Sequence, residues 1–258
     1  MTLGLVAFYV AVIFILAGCF PENLLEWSDD GSVGVIKVDK VLGLVDDKTG
    51  NFTQIPDINE QEDLFGNIAI SSDGKLIAYS TAVKCSSLSD ALKQLPQTQV
   101  KLIAHYANQM REQIIHQNGL VNEFPDIDEG PFKLDGYRSW VECYMCENAD
   151  HELIDKLTPE ILEQGKSKEI VLCQLFVATP NQVIKGEGEL VTASVFAICW
   201  PKISPDNKFV AYLFHNEPYE DIALRFDLYL AALESDVKVL RLAEYVAPGY
   251  SWRGDSKA

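Results

Sequence analysis

The chain has 258 residues, of which 48% are hydrophobic and 23% are charged, and its formal net charge is −17. This composition is ordinary for a globular protein with a buried core, and six cysteines are too few for a small disulfide-held fold. An acidic surface repels phosphate backbones, so we expect no nucleic-acid partner. We also expect no cofactor.

The N-terminal segment is apolar and ends on a cysteine. Every residue from Leu3 to Ala17 is apolar or glycine, which fits the core of a signal peptide and is short for a membrane span of about 20 residues. The four residues that end at Cys19, Leu-Ala-Gly-Cys, resemble the lipobox of bacterial lipoproteins. No Lys or Arg precedes the apolar segment, so an uncleaved anchor helix and a buried core segment stay open as alternatives.

The lipobox resemblance implies a location. Residues 1–18 would be a cleaved lipoprotein signal peptide, and Cys19 would carry a thioether-linked diacylglycerol with two or three acyl chains such as palmitate, enough for a stable membrane anchor. Phe20 follows the cysteine where an aspartate would retain a lipoprotein in the inner membrane. We therefore expect a bacterial cell-envelope protein, lipid-anchored in the outer membrane and facing the periplasm.

A short motif recurs four times along the chain. Each copy has a large apolar residue three positions before an aspartate. Serine stands two positions before the aspartate in three copies, and lysine stands two positions after it in three copies, two of which have both. The aspartates are Asp30, Asp73, Asp206 and Asp255, spaced 43, 133 and 49 residues apart. The pattern predicts a tight hairpin with a type I turn, followed by a left-handed residue at Gly31, Gly74 or Asn207.

Alternating apolar residues follow each hairpin and predict further strands. The pattern is seen at residues 75–79 and 208–212. Two further pairs of strands are predicted, the first at 41–45 with a return strand at 52–55, and the second at 227–231 with a return strand near 237–242. Strands in fours at intervals of 43 to 49 residues are typical of propeller blades. The motif resembles the WD-like repeat of TolB-type β-propellers, and the resemblance covers 19–82 and 170–258.

The predicted fold class is therefore all-β, a β-propeller of about three blades with an α-helical insertion in the second blade. We divide the chain into the signal peptide 1–18, blade 1 with the first half of blade 2 at 19–82, the insertion at 83–168, and the remaining blades at 169–258. Three blades and the start of a fourth do not close a ring, so we expect the chain to be the N-terminal part of a longer protein.

The insertion has its own helical pattern. Apolar residues at amphipathic spacing predict a helix from Gln99 to Gln117, and a capping pattern predicts a short helix after Thr158 that ends at Gly165. The segment 122–152 between them is rich in acids, aromatics and turn formers, and we predict it to be irregular.

Few residues in the sequence suggest chemistry. Cys143 and Cys146 have the spacing of a zinc knuckle, with His151 nearby, but a disulfide or a structural role fits as well. Asp126, Asp128 and Glu129 form an acidic loop without a full calcium-binding spacing. Residues 249–253 nearly spell a hydrolase nucleophile elbow, but Arg253 stands where the last glycine should be. We predict no catalytic residue in this chain.

The resemblance implies a binding role. TolB-type propellers are periplasmic and contact other proteins, so the leading hypothesis is a lipid-anchored scaffold or protein-binding module whose partners are the membrane and envelope proteins. The alternative is the gating propeller of a prolyl-oligopeptidase-like or dipeptidyl-peptidase-like serine peptidase, with the catalytic domain beyond residue 258. A sensor of a carbohydrate or other small ligand is a third hypothesis.

Overall fold

The computed structural model describes residues 24–38, 41–55, 68–116, 135–155, 170–214, 226–233, 239–246 and 249–254. Several sequence predictions lie outside these ranges, namely the signal peptide, Cys19, the acidic residues Asp126, Asp128 and Glu129, the short helix predicted to end at Gly165, and Asp255. Within the described ranges there are twelve strands and five helices.

The strands form three antiparallel sheets of four strands each, among the described residues. The first sheet contains β1 (Leu24–Trp27), β2 (Val33–Val38), β3 (Val41–Asp46) and β4 (Phe52–Gln54). The second contains β5 (Ile68–Ile70), β6 (Ile77–Cys85), β7 (Ile170–Ala178) and β8 (Glu189–Ser194). The third contains β9 (Ile198–Ile203), β10 (Phe209–Phe214), β11 (Phe226–Ala232) and β12 (Val239–Val246).

Strands that are neighbours in the chain are neighbours in each sheet. The first hairpin pairs Trp27 with Gly34, and its counterpart in the third sheet pairs Ile203 with Val210. The sequence prediction of a mostly β chain built from four-stranded units is confirmed. Short turns explain the neighbouring of β1 with β2 and of β9 with β10, whereas β6 and β7 pair although four of the described helices lie between them in the chain.

The sheets pack face to face in chain order. Val35 and Leu44 of the first sheet share a buried cluster with Ile68 and Tyr79 of the second. On its opposite face, the second sheet packs against the third through a cluster that contains Leu175, Val177, Val210 and Tyr212. Each such large apolar side chain stabilises the stack by about 1.5–3 kcal/mol relative to exposure.

The outward face of the first sheet is apolar and stays exposed among the described residues. Leu25, Trp27 and Phe52 are all exposed there, whereas Ile203, which stands at the Trp27 position in the third hairpin, is buried against the second sheet. The Trp27 ring lies against Gly34, where an added Cβ would come within 2.9 Å of it. The glycine therefore lets the ring lie flat on its own sheet.

Four of the helices lie in the chain between β6 and β7: α1 (Leu88–Gln94), α2 (Gln97–His116), α3 (Asp135–Glu147) and α4 (His151–Ile154). A short fifth helix, α5 (Pro180–Ile184), joins β7 to β8. The Ser87 hydroxyl caps α1 by accepting the backbone N–H of Asp90, one of the amides that a helix start leaves unpaired. No described helix has the length and the apolar content that crossing a membrane requires.

The α1–α4 group packs on one end of the second sheet. Ile103, Tyr106, Ala107 and Met110 form the buried stripe of α2, at the spacing of an amphipathic helix. Further members of the same cluster come from α1, α3 and the sheet, among them Leu88, Trp140, Met145, Ile170 and Leu172. The indole N–H of Trp140 also donates to the Val171 carbonyl at 3.1 Å, which fixes α3 against β7.

The prediction that 122–152 is irregular is wrong for Asp135–Glu147, which forms α3. Aromatic residues and cysteine have modest helix propensity, but Tyr137, Trp140, Val141, Tyr144 and Met145 stand at the spacing of an amphipathic helix, a signal that the sequence prediction overlooked. Packing of Trp140, Val141 and Met145 into the cluster supplies the stabilisation. At the predicted start of the insertion, residue 83, the chain is still extended, since β6 continues to Cys85.

Candidate functional site

Three of the four predicted aspartate turns lie within the described residues, and they share one geometry. In each, a serine hydroxyl donates to an oxygen of the aspartate two positions later: Ser28 to Asp30 at 2.7 Å, Ser71 to Asp73 at 2.9 Å, and Ser204 to Asp206 at 2.7 Å. The same hydroxyl accepts the N–H that opens the next strand, from Val33, Leu76 and Phe209. The motif therefore closes its own hairpin through side chains.

The residue after each aspartate has a left-handed backbone. Gly31 and Gly74 have φ values of 70° and 68°, and Asn207 has 61°. Glycine adopts this region without a Cβ clash, and asparagine tolerates it better than other residues. The use of Asn in the third turn adds a side chain that glycine lacks.

The turns are joined from sheet to sheet. The Asn207 amide donates to both oxygens of Asp73 at 3.0 Å, and the Asp29 N–H donates to the Ser72 carbonyl at 2.8 Å. The three hairpin tips thus form a row at one end of the stacked sheets.

Hydrogen bonds hold the turn carboxylates ionised. Bonds from the Ser28 hydroxyl and from Ser32 lower the pKa of Asp30 to about 2. Burial raises the pKa of Asp73, but hydrogen bonds from Lys75, Asn207 and Ser71 outweigh this effect and hold the pKa below its ordinary value of 3.8. These carboxylates act as acceptors within and between turns, and we assign them no catalytic role.

Cys143 and Cys146 lie one turn apart on α3, where both side chains are buried. Burial, with Cys146 and Glu147 nearby, raises the pKa of Cys143 to about 11, so its thiol is protonated at neutral pH. His151 lies at the exposed start of α4. Across the described ranges, no three His, Cys, Asp or Glu side chains come together in a way that could hold a metal ion.

Residues 249–254 lie against the outward face of the third sheet. The Tyr250 hydroxyl donates to the carbonyls of Trp200 and Ala211, and the Trp252 indole donates to the Lys202 carbonyl at 3.0 Å. In return, the Lys202 ammonium donates to the Tyr250 carbonyl at 2.6 Å. In the segment that resembles a nucleophile elbow, Tyr250 and Trp252 therefore bind the chain to the third sheet. The Tyr250 ring also packs beside Cys199, Leu213 and Phe226.

Sequence reasoning missed one surface. Strand β12, the outer strand of the third sheet, exposes 43% of Val239, 59% of Leu240 and 41% of Leu242. The sequence predicted a return strand near this position but no unusual exposure, because VLRLAEYV carries apolar residues at both alternating sets of positions. Apolar residues on both faces of an outer strand were the available sequence signal of such exposure.

Comparisons with known proteins give distant structural similarity. The chain aligns with TolB from Acinetobacter baumannii at 12% identity and a TM-score of 0.42, over 91% of this chain and 36% of that one. It aligns with an oligogalacturonate lyase from Vibrio parahaemolyticus at 12% identity and a TM-score of 0.38, over 83% of this chain and 38% of that one. It aligns with the tricorn protease at 12% identity and a TM-score of 0.38, over 81% of this chain and 13% of that one.

No family model and no curated protein matches the chain. The chain spans about a third of the length of the TolB structure and less of the tricorn protease. Scores below 0.5 at this identity assign neither a family nor an activity to this chain.

Proposed function

We propose that this chain is a lipid-anchored β-propeller module of the bacterial cell envelope that binds a partner protein. In this proposal the three described sheets are successive blades, and helices α1–α4 are an insertion in the second blade. The module is held in the outer membrane by acyl chains on Cys19 and faces the periplasm.

The arrangement of the sheets supports the propeller. Each described sheet is an up-and-down set of four antiparallel strands, and two buried clusters join consecutive sheets face to face. The equivalent serine–aspartate turns stand in one row, tied by Asn207 and Asp73. Radial repetition of such units is the architecture of a propeller.

The observation that carries the binding role is the exposure of β12. Among the large apolar side chains that the structure describes, Leu240 has the highest exposed fraction, and Val239 and Leu242 add two more exposed residues on the same strand. Exposed apolar side chains clustered on one element commonly mark a site of protein interaction. Because the strand is fixed to β11 by backbone pairing, the surface is presented by a rigid element.

The anchor is supported by the sequence of the first nineteen residues. An apolar segment of signal-peptide length ends at Leu-Ala-Gly-Cys, and two or three acyl chains on one cysteine suffice for stable membrane attachment. Metabolic labelling with a palmitate analogue in a Gram-negative host tests it. The wild-type chain should be labelled and sediment with outer membranes, a Cys19→Ser variant should lose both properties, and Cys85→Ser should retain them.

A photo-crosslinking residue at position 240 in the source organism tests the binding role. An envelope protein captured there should bind the purified chain, and a Leu240→Asn, Leu242→Asn variant should bind it at least about tenfold more weakly. The matched control is Ile154→Asn, an exposed apolar residue on α4, which should leave affinity unchanged. Equal affinity in all three chains would refute the assignment of β12 as the binding surface.

A further inference from the structure

We propose that β12 binds its partner by strand addition, and that the partner segment is extended and carries lysine or arginine beside its apolar residues. The inference rests on the proposed function, because it names the mode and the chemistry of the partner at the surface assigned there. Strand addition satisfies the backbone groups of a sheet edge while pockets for alternate side chains give specificity.

The outer strands of the other two sheets are protected in ways that β12 is not. Strand β4 is only three residues long, which is too short to template another chain. In β8, the last four of six residues are buried, and Ala193 packs in the cluster of helices α1–α3. Strand β12 has eight residues, is free of proline and is exposed over Val239–Leu242.

The backbone of β12 is extended where it is exposed. Its inner edge pairs in regular register with β11, as Val239 with Ala231, Leu240 with Leu230 and Arg241 with Tyr229. A register shift follows directly, because Tyr229 pairs with Arg241 and Leu228 with Ala243, which makes Leu242 a bulge residue, and a second shift lies toward Val246. Since alternate residues of a strand bond to opposite sides, the outer edge of the regular stretch Val239–Arg241 presents donors and acceptors that no described strand pairs with. Only another extended backbone matches that spacing.

The charges beside the edge favour a basic segment. Arg241 is held between two carboxylates, with Nη1 at 3.3 Å from Asp227 and Nη2 at 2.6 Å from Glu244. This group keeps one net negative charge, and the whole chain carries −17. A basic segment is attracted by this field, whereas a second copy of the chain, equally acidic, is repelled.

Peptides of the length of β12 test the inference against the Cys19→Ser chain. An alternating valine–lysine peptide should bind and slow amide exchange of residues 239–242. The same peptide N-methylated along one edge, which removes backbone donors, should bind at least about tenfold more weakly, and so should an alternating valine–glutamate peptide. Comparable binding of the methylated peptide would overturn strand addition, and comparable binding of the acidic peptide would overturn the charge preference.

A variant locates the site. Leu240→Arg with Leu242→Arg should abolish protection by the valine–lysine peptide, and the matched control Leu190→Arg on β8 should not. Protection elsewhere, or pairing of two chains at β12 without peptide, would overturn the proposal. The two proposals can fail separately. If binding of the envelope partner requires Leu240 but the methylated peptide binds as well as the parent peptide, the protein-binding function stands and strand addition fails.

Discussion

The side-chain amide of Asn207 in the third sheet donates to both carboxylate oxygens of Asp73 in the second, each at 3.0 Å. The bond joins residues that are 134 positions apart in the chain. It uses a turn position where the other two described copies have glycine, so the third hairpin gains a contact between sheets without changing its left-handed backbone.

Replacing Asn207 by glycine should keep the turn and remove only this bond. We expect Asn207→Gly to lower the free energy of unfolding by about 1–2 kcal/mol, since hydrogen bonds to a charged acceptor contribute at this level. Asn207→Ala should cost more, because a Cβ in the left-handed region adds about 1 kcal/mol. Urea unfolding measures both. In a double-mutant cycle with Asp73→Ala, a coupling energy near zero would contradict the contact.

Acid should weaken the row of turns. The pKa of Asp73 and of Asp30 lies below the ordinary value of 3.8 in the folded chain. A carboxyl whose pKa is lower in the folded chain than in the unfolded chain stabilises the fold. This stabilisation is complete at a pH above the unfolded-state pKa, and it is lost as the pH falls through the folded-state pKa. The urea midpoint should therefore fall between about pH 4 and pH 2, with a flatter slope in Asp73→Asn. An unchanged slope in that variant would assign the acid sensitivity to other groups.

An alanine at Gly43 should disturb the first sheet. A Cβ there would fall on the Phe52 ring and lie 2.9 Å from the Thr53 carbonyl oxygen. We expect Gly43→Ala to cost about 1–3 kcal/mol, the usual range for overpacking. The cost should shrink in a Phe52→Ala background, where only the carbonyl clash persists. Urea titration of the four chains decides it, and an equal cost in both backgrounds would exclude the ring as the obstacle.

Tyr250 should anchor residues 249–254 through its hydroxyl. The Phe variant removes the donor that serves the carbonyls of Trp200 and Ala211. We expect Tyr250→Phe to cost about 1–3 kcal/mol, because buried carbonyls lose their partner. Trp252→Phe, which removes one bond to a single carbonyl, should cost about 1 kcal/mol. Thermal unfolding measures the stability of both variants. If Tyr250→Phe is as stable as the wild-type chain, the aromatic ring and not the hydroxyl anchors the segment.

The buried cysteines should react slowly with iodoacetamide. Burial raises the pKa of Cys143 to about 11 and, with Cys173 nearby, that of Cys199 to about 12, and the thiolate is the reactive form. In a Cys19→Ser chain at pH 8, mass spectrometry should find Cys85, which is only half-buried, alkylated first. The other thiols should follow only after urea is added. Early labelling of Cys143 would contradict its burial on α3.

The extent of sequence prediction differs between the sheets and the helices. The four-stranded units were predictable because alternation and turn residues act over a few positions, as in Ser204 to Phe209. The apolar spacing of helix α3 was also readable in the sequence but was overlooked. The burial of Trp140 and Met145 was not readable, because it depends on α2 and the second sheet, which are distant in sequence.

The surfaces depend on tertiary structure for the same reason. VLRLAEYV reads as a strand from its residues alone, but whether Leu240 is covered depends on what packs beside β12. Local steric rules and apolar periodicity thus determined the hairpins, the strands and their order. Burial, the Asn207–Asp73 bond and the exposed edge required the tertiary structure, because each depends on contacts between segments that only the folded chain brings together.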